Sequence, residues 1–309
     1  MTRPPDEKER ADSLAGEVGS DGVEALPRRV ERYGLAKSRA LNVVEHIDRF
    51  EEGQGDLVRR MRECGEYLAF RHYFTVDQVR LHGASFCMKH LLCPLCAIRR
   101  GSKALKAYLD RWEVIARSDA ALRPFLVTLT VRDGHDLAER FKHLSDAQRE
   151  LWKRRHRGRG SVLAAVAGAV WSFEVKRGSG SGLWHPHLHM VAVAETCPDQ
   201  AELAREWRDI TGDSWVVDAR PIAQDDLASG FIEVFKYALK FSDMTPADTF
   251  HAYRVLKAKR LIGSAGCFRG VDVPDELTDE PLDGLPFVEF FYRYLRGVGY
   301  ALSPRKSPG

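Results

Sequence analysis

The chain has 309 residues, 44% of them hydrophobic and 29% charged, with a formal net charge of +3. That apolar content supports one large domain or two modest ones, and no apolar run approaches the roughly 20 residues that span a bilayer. The opening MTRPPDEKERADSL lacks the apolar core of a signal peptide, so a cytoplasmic protein without a membrane partner is expected.

Charge is placed unevenly. Acidic residues crowd the start (Asp6, Glu7, Glu9, Asp12, Glu17) and the stretch from Asp272 to Asp283. The middle is correspondingly basic, which suits a polyanionic partner. The sequence carries no GxxxxGK[ST] phosphate loop, so nothing in it points to ATP hydrolysis.

In chain order, residues 1–27 are polar and charged and are expected to be disordered. Residues 28–63 have helical spacing, with Val30, Tyr33 and Leu35, then Leu41, Val44, Ile47 and Phe50. Cysteines then gather. Cys93 and Cys96 form a Cys-x2-Cys pair, Cys87 lies upstream of it, and Cys64 is the fourth candidate. Four thiolates make a closed tetrahedral structural zinc site. A redox pair or free buried thiols are the alternatives, and a cytoplasmic setting disfavours stable disulfides. His82 and His90 are substitutes for Cys64 if it lies too far away.

A basic amphipathic helix follows, ending near Arg117, and it carries Arg99, Arg100, Lys103 and Lys106. FLVTLTVRD (125–133) reads as a strand and 136–155 as a helix. That helix leads into a second basic stretch, with Lys153, Arg154, Arg155, Arg157 and Arg159. Either stretch can be a solvated helix face, the usual meaning of a charge run, or a set of candidate DNA phosphate contacts.

Residues 165–177 and 185–194 read as strands joined by the Gly/Ser turn GSGSGLW. A helix from Asp199 to Ile210 opens on Pro198 and Asp199 near its capping positions. A strand at 214–222 and helices from Asp226 to Ser242 and from Ala247 to Leu261 complete the series. The order β-α-β-β-α-β-α predicts an α+β fold, a central antiparallel sheet with flanking helices. The expected organisation is a disordered 1–27, a helical and zinc-binding region 28–117, a domain 118–262 built on the central sheet, and a C-terminal extension 263–309 with an acidic loop and a disordered tail.

The sharpest feature is HPHLHM, residues 185–190. Alternation along a strand puts His185, His187 and His189 on one face. Pairing Lys176 with His185 across the turn brings Glu174 opposite His187. Two histidines and a carboxylate make a divalent-metal site with open positions; the bland reading is one surface histidine and two that only hydrogen-bond. His187 and His189 are the chosen ligands, because Pro186 marks the start of the strand. Further on, GFIEVFKYALKFSD (230–243) is a helix on which Glu233 and Tyr237 are surface neighbours, with Lys240 one turn beyond. A tyrosine between a carboxylate and a lysine can be a covalent nucleophile. Taken alone, a plain Glu–Lys helix surface explains the same pattern.

Together these pieces resemble the rolling-circle replication initiators of bacterial plasmids, in the HUH endonuclease superfamily. FLVTLTV resembles that family's first motif, HPHLHM its second, the His-hydrophobic-His metal motif, and EVFKYALK its third, which carries the nucleophile. FCMKHLLCPLCAIRR, preceded by Cys64–Gly65, resembles the family's upstream cysteines. The resemblance implies that Tyr237 nicks origin DNA, single-stranded at the nick, through a 5′-phosphotyrosine. It implies that Glu233 activates water at termination and that Lys240 is the trailing lysine. It further implies that His187, His189 and Glu174 hold Mg²⁺ or Mn²⁺, and that a host helicase and replication machinery act as partners. An HUH transposase or relaxase, a zinc hydrolase, and a zinc-containing DNA-binding regulator without catalysis are the rival readings.

Overall fold

The computed structural model describes residues 17, 22–157, 160–223, 226–236 and 244–303. After a short 3-10 turn at Val23–Ala25, the first elements are α1 (Leu26–Phe50), α2 (Gly55–Glu63), β1 (Tyr67–Tyr73), β2 (Gln78–Ala84) and α3 (Pro94–Ser118). Then come β3 (Arg123–Thr130), α4 (Leu137–Arg157), β4 (Gly168–Arg177), β5 (Trp184–Ala194), α5 (Gln200–Thr211) and β6 (Val217–Pro221). The series closes with α6 (Leu227–Phe235), α7 (Pro246–Leu256), β7 (Ile262–Gly266), β8 (Val288–Leu295) and β9 (Gly299–Leu302). The fold is α+β with antiparallel sheets, as the element order predicts. Among the described residues, no helix is long and apolar enough to cross a membrane.

The chain divides into two units. The first holds Met1–Ala104, Phe241–His251 and Val273–Gly309; the second holds Leu105–Lys240 and Ala252–Asp272.

In the first unit a four-stranded sheet has the order β2-β1-β8-β9. Leu68 and Phe70 of β1 and Val79 and Leu81 of β2 alternate with polar neighbours and are almost wholly buried. They face α1, whose Val30, Tyr33, Ala40, Val44 and Ile47 recur at helical spacing and are buried too. Tyr33 stacks on Phe70 with ring centroids 6.5 Å apart. Each such side chain contributes roughly 1.5–3 kcal/mol by leaving water.

Two parts of this unit differ from the sequence reading. The stretch between Cys64 and Cys87 is a β-hairpin rather than part of a helical region. The C-terminal extension, in which the sequence singled out only the acidic loop and the tail, supplies two strands between them, with β8 pairing β1 from Tyr67↔Arg293 to His72↔Val288. Residues 304–309 and most of the first 21 lie outside the described residues.

The second unit holds a five-stranded antiparallel sheet of order β6-β3-β5-β4-β7. One face is apolar: Phe173 meets Phe141 of α4 with centroids at 5.3 Å, and Trp171 meets Trp152 at 5.4 Å. Residue alternation leaves the opposite face of β3, β4 and β5 with Thr128, Glu174, His187 and His189. The helix α5 starts where the capping signal places it, with the Asp199 carboxylate accepting from Glu202 N at 2.8 Å. It ends on Gly212 at φ 74°, a left-handed conformation that glycine adopts without strain.

Candidate metal centres

The β4–β5 hairpin has the expected register, with Lys176 opposite His185, Glu174 opposite His187 and Ser172 opposite His189. Directly opposed residues point to the same face, so Glu174 stands beside both histidines. Its carboxylate is fully buried, with Oε1 2.9 Å from His187 Nε2 and Oε2 3.4 Å from His189 Nε2. One donor atom from each of the three lies within 4.8 Å of the others. This group can hold a metal ion: two imidazole nitrogens and a carboxylate oxygen converge with nothing apolar between them.

The neighbouring strand orients the set. Thr128 of β3, opposite His189, places its hydroxyl 3.1 Å from His189 Nδ1. That contact fixes the ring and leaves Nε2 aimed at the carboxylate, as outer partners of metal-binding histidines do. His185 shares the face but is engaged elsewhere. Its Nδ1 lies 2.5 Å from Asp133 Oδ1, while Ser181 Oγ donates to Asp133 Oδ2. Burial opposes ionisation of Asp133, but the hydrogen bonds from Ser181 and His185 outweigh it and hold the carboxyl below its usual range. Neither Thr128 nor Asp133 was singled out in the sequence, although both fall in the strand resembling the first motif or just after it. Their roles depend on which residue of that strand faces which histidine.

The first unit holds the second group. Cys64 follows α2, Cys87 follows β2, and Cys93 and Cys96 flank the start of α3. All four are buried, with thiols drawn within 4.8 Å of one another. The Sγ–Sγ distances Cys64–Cys93, Cys64–Cys96 and Cys87–Cys96 are each 3.6 Å. A disulfide needs about 2.05 Å, whereas four sulfurs about 2.3 Å from a tetrahedral centre stand roughly 3.8 Å apart. The cluster fits a metal and not a pair of disulfides, and neither substitute histidine is needed.

Lys37 points into the surrounding backbone, donating to Cys64 O at 2.6 Å and Arg62 O at 2.5 Å. Hydrogen bonding to Cys64 and Cys87 pushes the Cys93 and Cys96 thiols well up, while Cys87, bonded first by Cys64, is pushed down. Close-packed thiols share charge in this way when one ionises ahead of the rest.

The helix expected to carry the nucleophile is described only in part. Glu233 is on α6, but Tyr237 and Lys240 lie outside the described residues. Glu233 accepts from Lys236 Nζ at 2.5 Å, and the lysine is fully buried. The sequence analysis left Lys236 out of the site. Its i,i+3 spacing from Glu233 was the available signal.

The candidate DNA-contact residues separate. Arg99 is a correction: it is 1% exposed, donates to Leu277 O at 2.7 Å and Glu17 Oε2 at 2.7 Å, and pairs with Asp279. No phosphate reaches it. Arg29 and Arg32 join the same buried network, Arg29 meeting Asp279 at 2.9 Å. Burial of Glu17 opposes its ionisation, yet Arg29, Arg99 and Arg32 bring its pKa from 4.5 to about 2. Lys103 is mostly covered, and burial lowers its pKa despite Asp279 at 4.0 Å. Arg100 is part-exposed and meets Asp275 at 3.3 Å. On α4, Lys153 and Arg157 are exposed beside Glu150. Arg154 reaches Asp209 at 2.7 Å, and Arg155 is turned inward, donating to Val166 O at 3.0 Å. Arg159 lies outside the described residues.

An antiparallel sheet carrying a His/His/Glu set, in a chain that also has a four-thiol centre, defines a protein with two metal-capable sites of different kinds. Residues 78–289, well over half of the chain, match the Rep_1 family, described as replication protein; the chain belongs to that family. It is 24% identical over 276 residues to a "Protein rep" of Bacillus amyloliquefaciens, covering 76% of this chain and 79% of the relative. It is 29% identical over 220 residues to a "Protein rep" of Lactiplantibacillus plantarum, covering 64% of this chain and 66% of the relative. No solved structure matches.

Proposed function

We propose that this replication protein is a plasmid rolling-circle initiator of the HUH endonuclease type, nicking and rejoining origin DNA. The observation that carries this reading is the buried Glu174, His187 and His189 set on the sheet of a family member. A bound Mg²⁺ or Mn²⁺ would supply Lewis-acid polarisation of the scissile phosphate. The chain's own residues do the rest. Thr128 holds the His189 ring. The phenol oxygen of Tyr237, placed by resemblance to the third motif, attacks phosphorus. The bond to the 3′-oxygen breaks, that oxygen takes up a proton as the phenol loses one, and the 5′-phosphate stays on the tyrosine. The released 3′-hydroxyl primes synthesis, and the phosphotyrosine conserves the bond for rejoining. A host helicase separates the strands.

The Cys64, Cys87, Cys93 and Cys96 centre is assigned to structural zinc, which its four-sulfur donor set and burial favour. At termination Glu233 activates the water that makes the last cut, and the buried Lys236 fixes its carboxylate. Lys153, Arg154 and Arg157 contact phosphates, which positions DNA without reading its sequence.

The test is incubation with single-stranded origin DNA and Mg²⁺ or Mn²⁺, followed by denaturing electrophoresis. A denaturation-resistant protein–DNA adduct is expected from the wild type and not from Tyr237→Phe, with DNA binding retained. Adduct from the Phe variant makes another tyrosine the nucleophile, with Tyr253 the next to test. Absence of adduct from the wild type removes the nicking reading.

A further inference from the structure

The first unit's sheet has one face under α1 and another that no part of the site uses. Along that second face, β1 presents Tyr67 and Arg71, β2 presents Arg80, and β8 presents Glu289, Phe291 and Arg293, in the register Tyr67↔Arg293, Ala69↔Phe291 and Arg71↔Glu289. The Tyr67 and Phe291 rings stack with centroids 5.5 Å apart and planes 15° apart. The Arg293 guanidinium lies 5.8 Å from the Phe291 centroid. A cation, a phenyl and a phenol therefore line up across two strands, and Tyr67 is 38% exposed.

The row continues onto β2 at Gly83, opposite Ala69. A Cβ there would stand 3.4 Å from Ala69 Cβ and 3.9 Å from the Tyr67 ring, with no other neighbour within 4 Å. A glycine at this point of a strand leaves a slot beside an exposed aromatic ring. The charges on the face favour a polyanion. Arg71, Arg80 and Arg293 stand against Glu289, which Arg71 meets at 3.2 Å and His82 at 3.4 Å. Two copies joined through this face would oppose arginine to arginine.

We propose that this face binds single-stranded DNA, a base stacking on Tyr67 over Gly83 while Arg71, Arg80 and Arg293 meet the backbone phosphates. Aromatic side chains on a cationic sheet take unpaired bases of any sequence, because every base has a π-face. This rests on the initiator reading for the source of the strand, since nicking followed by unwinding displaces one. The face would hold that strand outside the nicking site.

The experiment uses the full chain with oligothymidine carrying 5-iododeoxyuridine, without origin sequence and without added Mg²⁺ or Mn²⁺. Irradiation followed by mass spectrometry is expected to find the crosslink on the peptide holding Tyr67 or Phe291. Fluorescence anisotropy should show binding weakened about tenfold by Tyr67→Leu, and similarly by Gly83→Ile, which leaves the tyrosine in place and fills the slot. Crosslinks confined to other peptides, with affinity unchanged in both variants, overturn the proposal. So do variants that alter sedimentation of the DNA-free protein while leaving affinity alone, since the face would then join two copies. Adduct formation on origin DNA is scored separately. Its loss with the crosslink retained sinks the nicking reading and not this one.

Discussion

The two metal-capable groups are built on opposite plans. The four cysteines come from three places: the end of α2, the end of β2 and the turn into α3. These three segments lie apart in sequence and are tied to one another by scattered hydrogen bonds, such as Gly65 N to Ser85 O at 2.7 Å and Arg60 to Cys87 O at 3.2 Å. Glu174, His187 and His189 come from a single hairpin inside a five-stranded sheet whose register fixes them before any ion arrives. The cysteine group, drawn from separate segments, suits an ion that ties them together, whereas strand pairing sets the geometry of the histidine group. Where the strands themselves place the donors, an ion can be exchanged or can share its coordination with substrate. Where an ion gathers the loops, it belongs to the fold.

The predictions break this comparison from its strongest side downward. Serine at Cys93 or Cys96 should cost the first unit its integrity, because metal binding at a closed site is folding energy, about 10 kcal/mol or more in isolated zinc peptides. We expect about one zinc per chain in the purified wild type by elemental analysis, lost in the variants together with solubility. Zinc-free wild-type protein that unfolds cooperatively would end the contrast.

His187→Ala and His189→Ala should behave in the reverse way. Each should abolish metal-dependent nicking without rescue by excess Mn²⁺, while thermal unfolding changes little. His185→Ala should do less harm, since His185 is held by Asp133. Thr128→Val should weaken Mn²⁺ binding by about 10–100-fold, read by titration calorimetry, as loss of an outer partner does.

A third prediction concerns acid. The Glu17 carboxyl is fully buried and its pKa lies at about 2 against an ordinary 4.5. The folded form therefore binds its proton less readily than the unfolded form. The stabilisation is complete above about pH 4.5 and lost as pH falls toward 2. It amounts to roughly 3 kcal/mol, and Glu17→Gln should flatten the fall in urea midpoint across that window. An unchanged acid profile would show that the cluster does not govern stability there.

Glu233→Ala should still nick and form adduct but accumulate over-length products, and Glu233→Tyr should restore a cut by supplying a second phenol. Unit-length products from the alanine variant would leave Glu233 as no more than the partner of Lys236. The smallest effect is expected at Arg157. Its alanine variant should bind all DNA slightly less well and reduce the slope of log affinity against log salt by about one.

The hairpin and its site were legible because a Gly/Ser turn and a period of two fix register locally, so Glu174 could be set opposite His187 from residue count alone. Cys64 was legible for a similar reason: thiols are few and their spacing is constrained. Arg99 was not, because a cation's burial depends on its partners. Those partners, Glu17 and Asp279, are far away in sequence, and the same run of basic residues serves equally as a solvated surface. The β8–β9 hairpin was missed for the corresponding reason in a strand. Its mate β1 is separated from it along the chain by all the residues of the second unit, and an acidic, proline-containing approach to it reads as a loop. The β1–β2 hairpin carried its alternation in plain view, in Leu68, Phe70, Val79 and Leu81, within a stretch whose cysteines alone were weighed.

The pairing of β1 with β8 sets an order of events during synthesis. The ribosome delivers β1 early, then every residue of the second unit, and only afterwards β8 and β9. A nascent chain can therefore complete its histidine-bearing sheet while the sheet of the first unit is still half built. Chains cut short by a stalled ribosome would leave β1 with an open edge, exposed to aggregation and proteolysis.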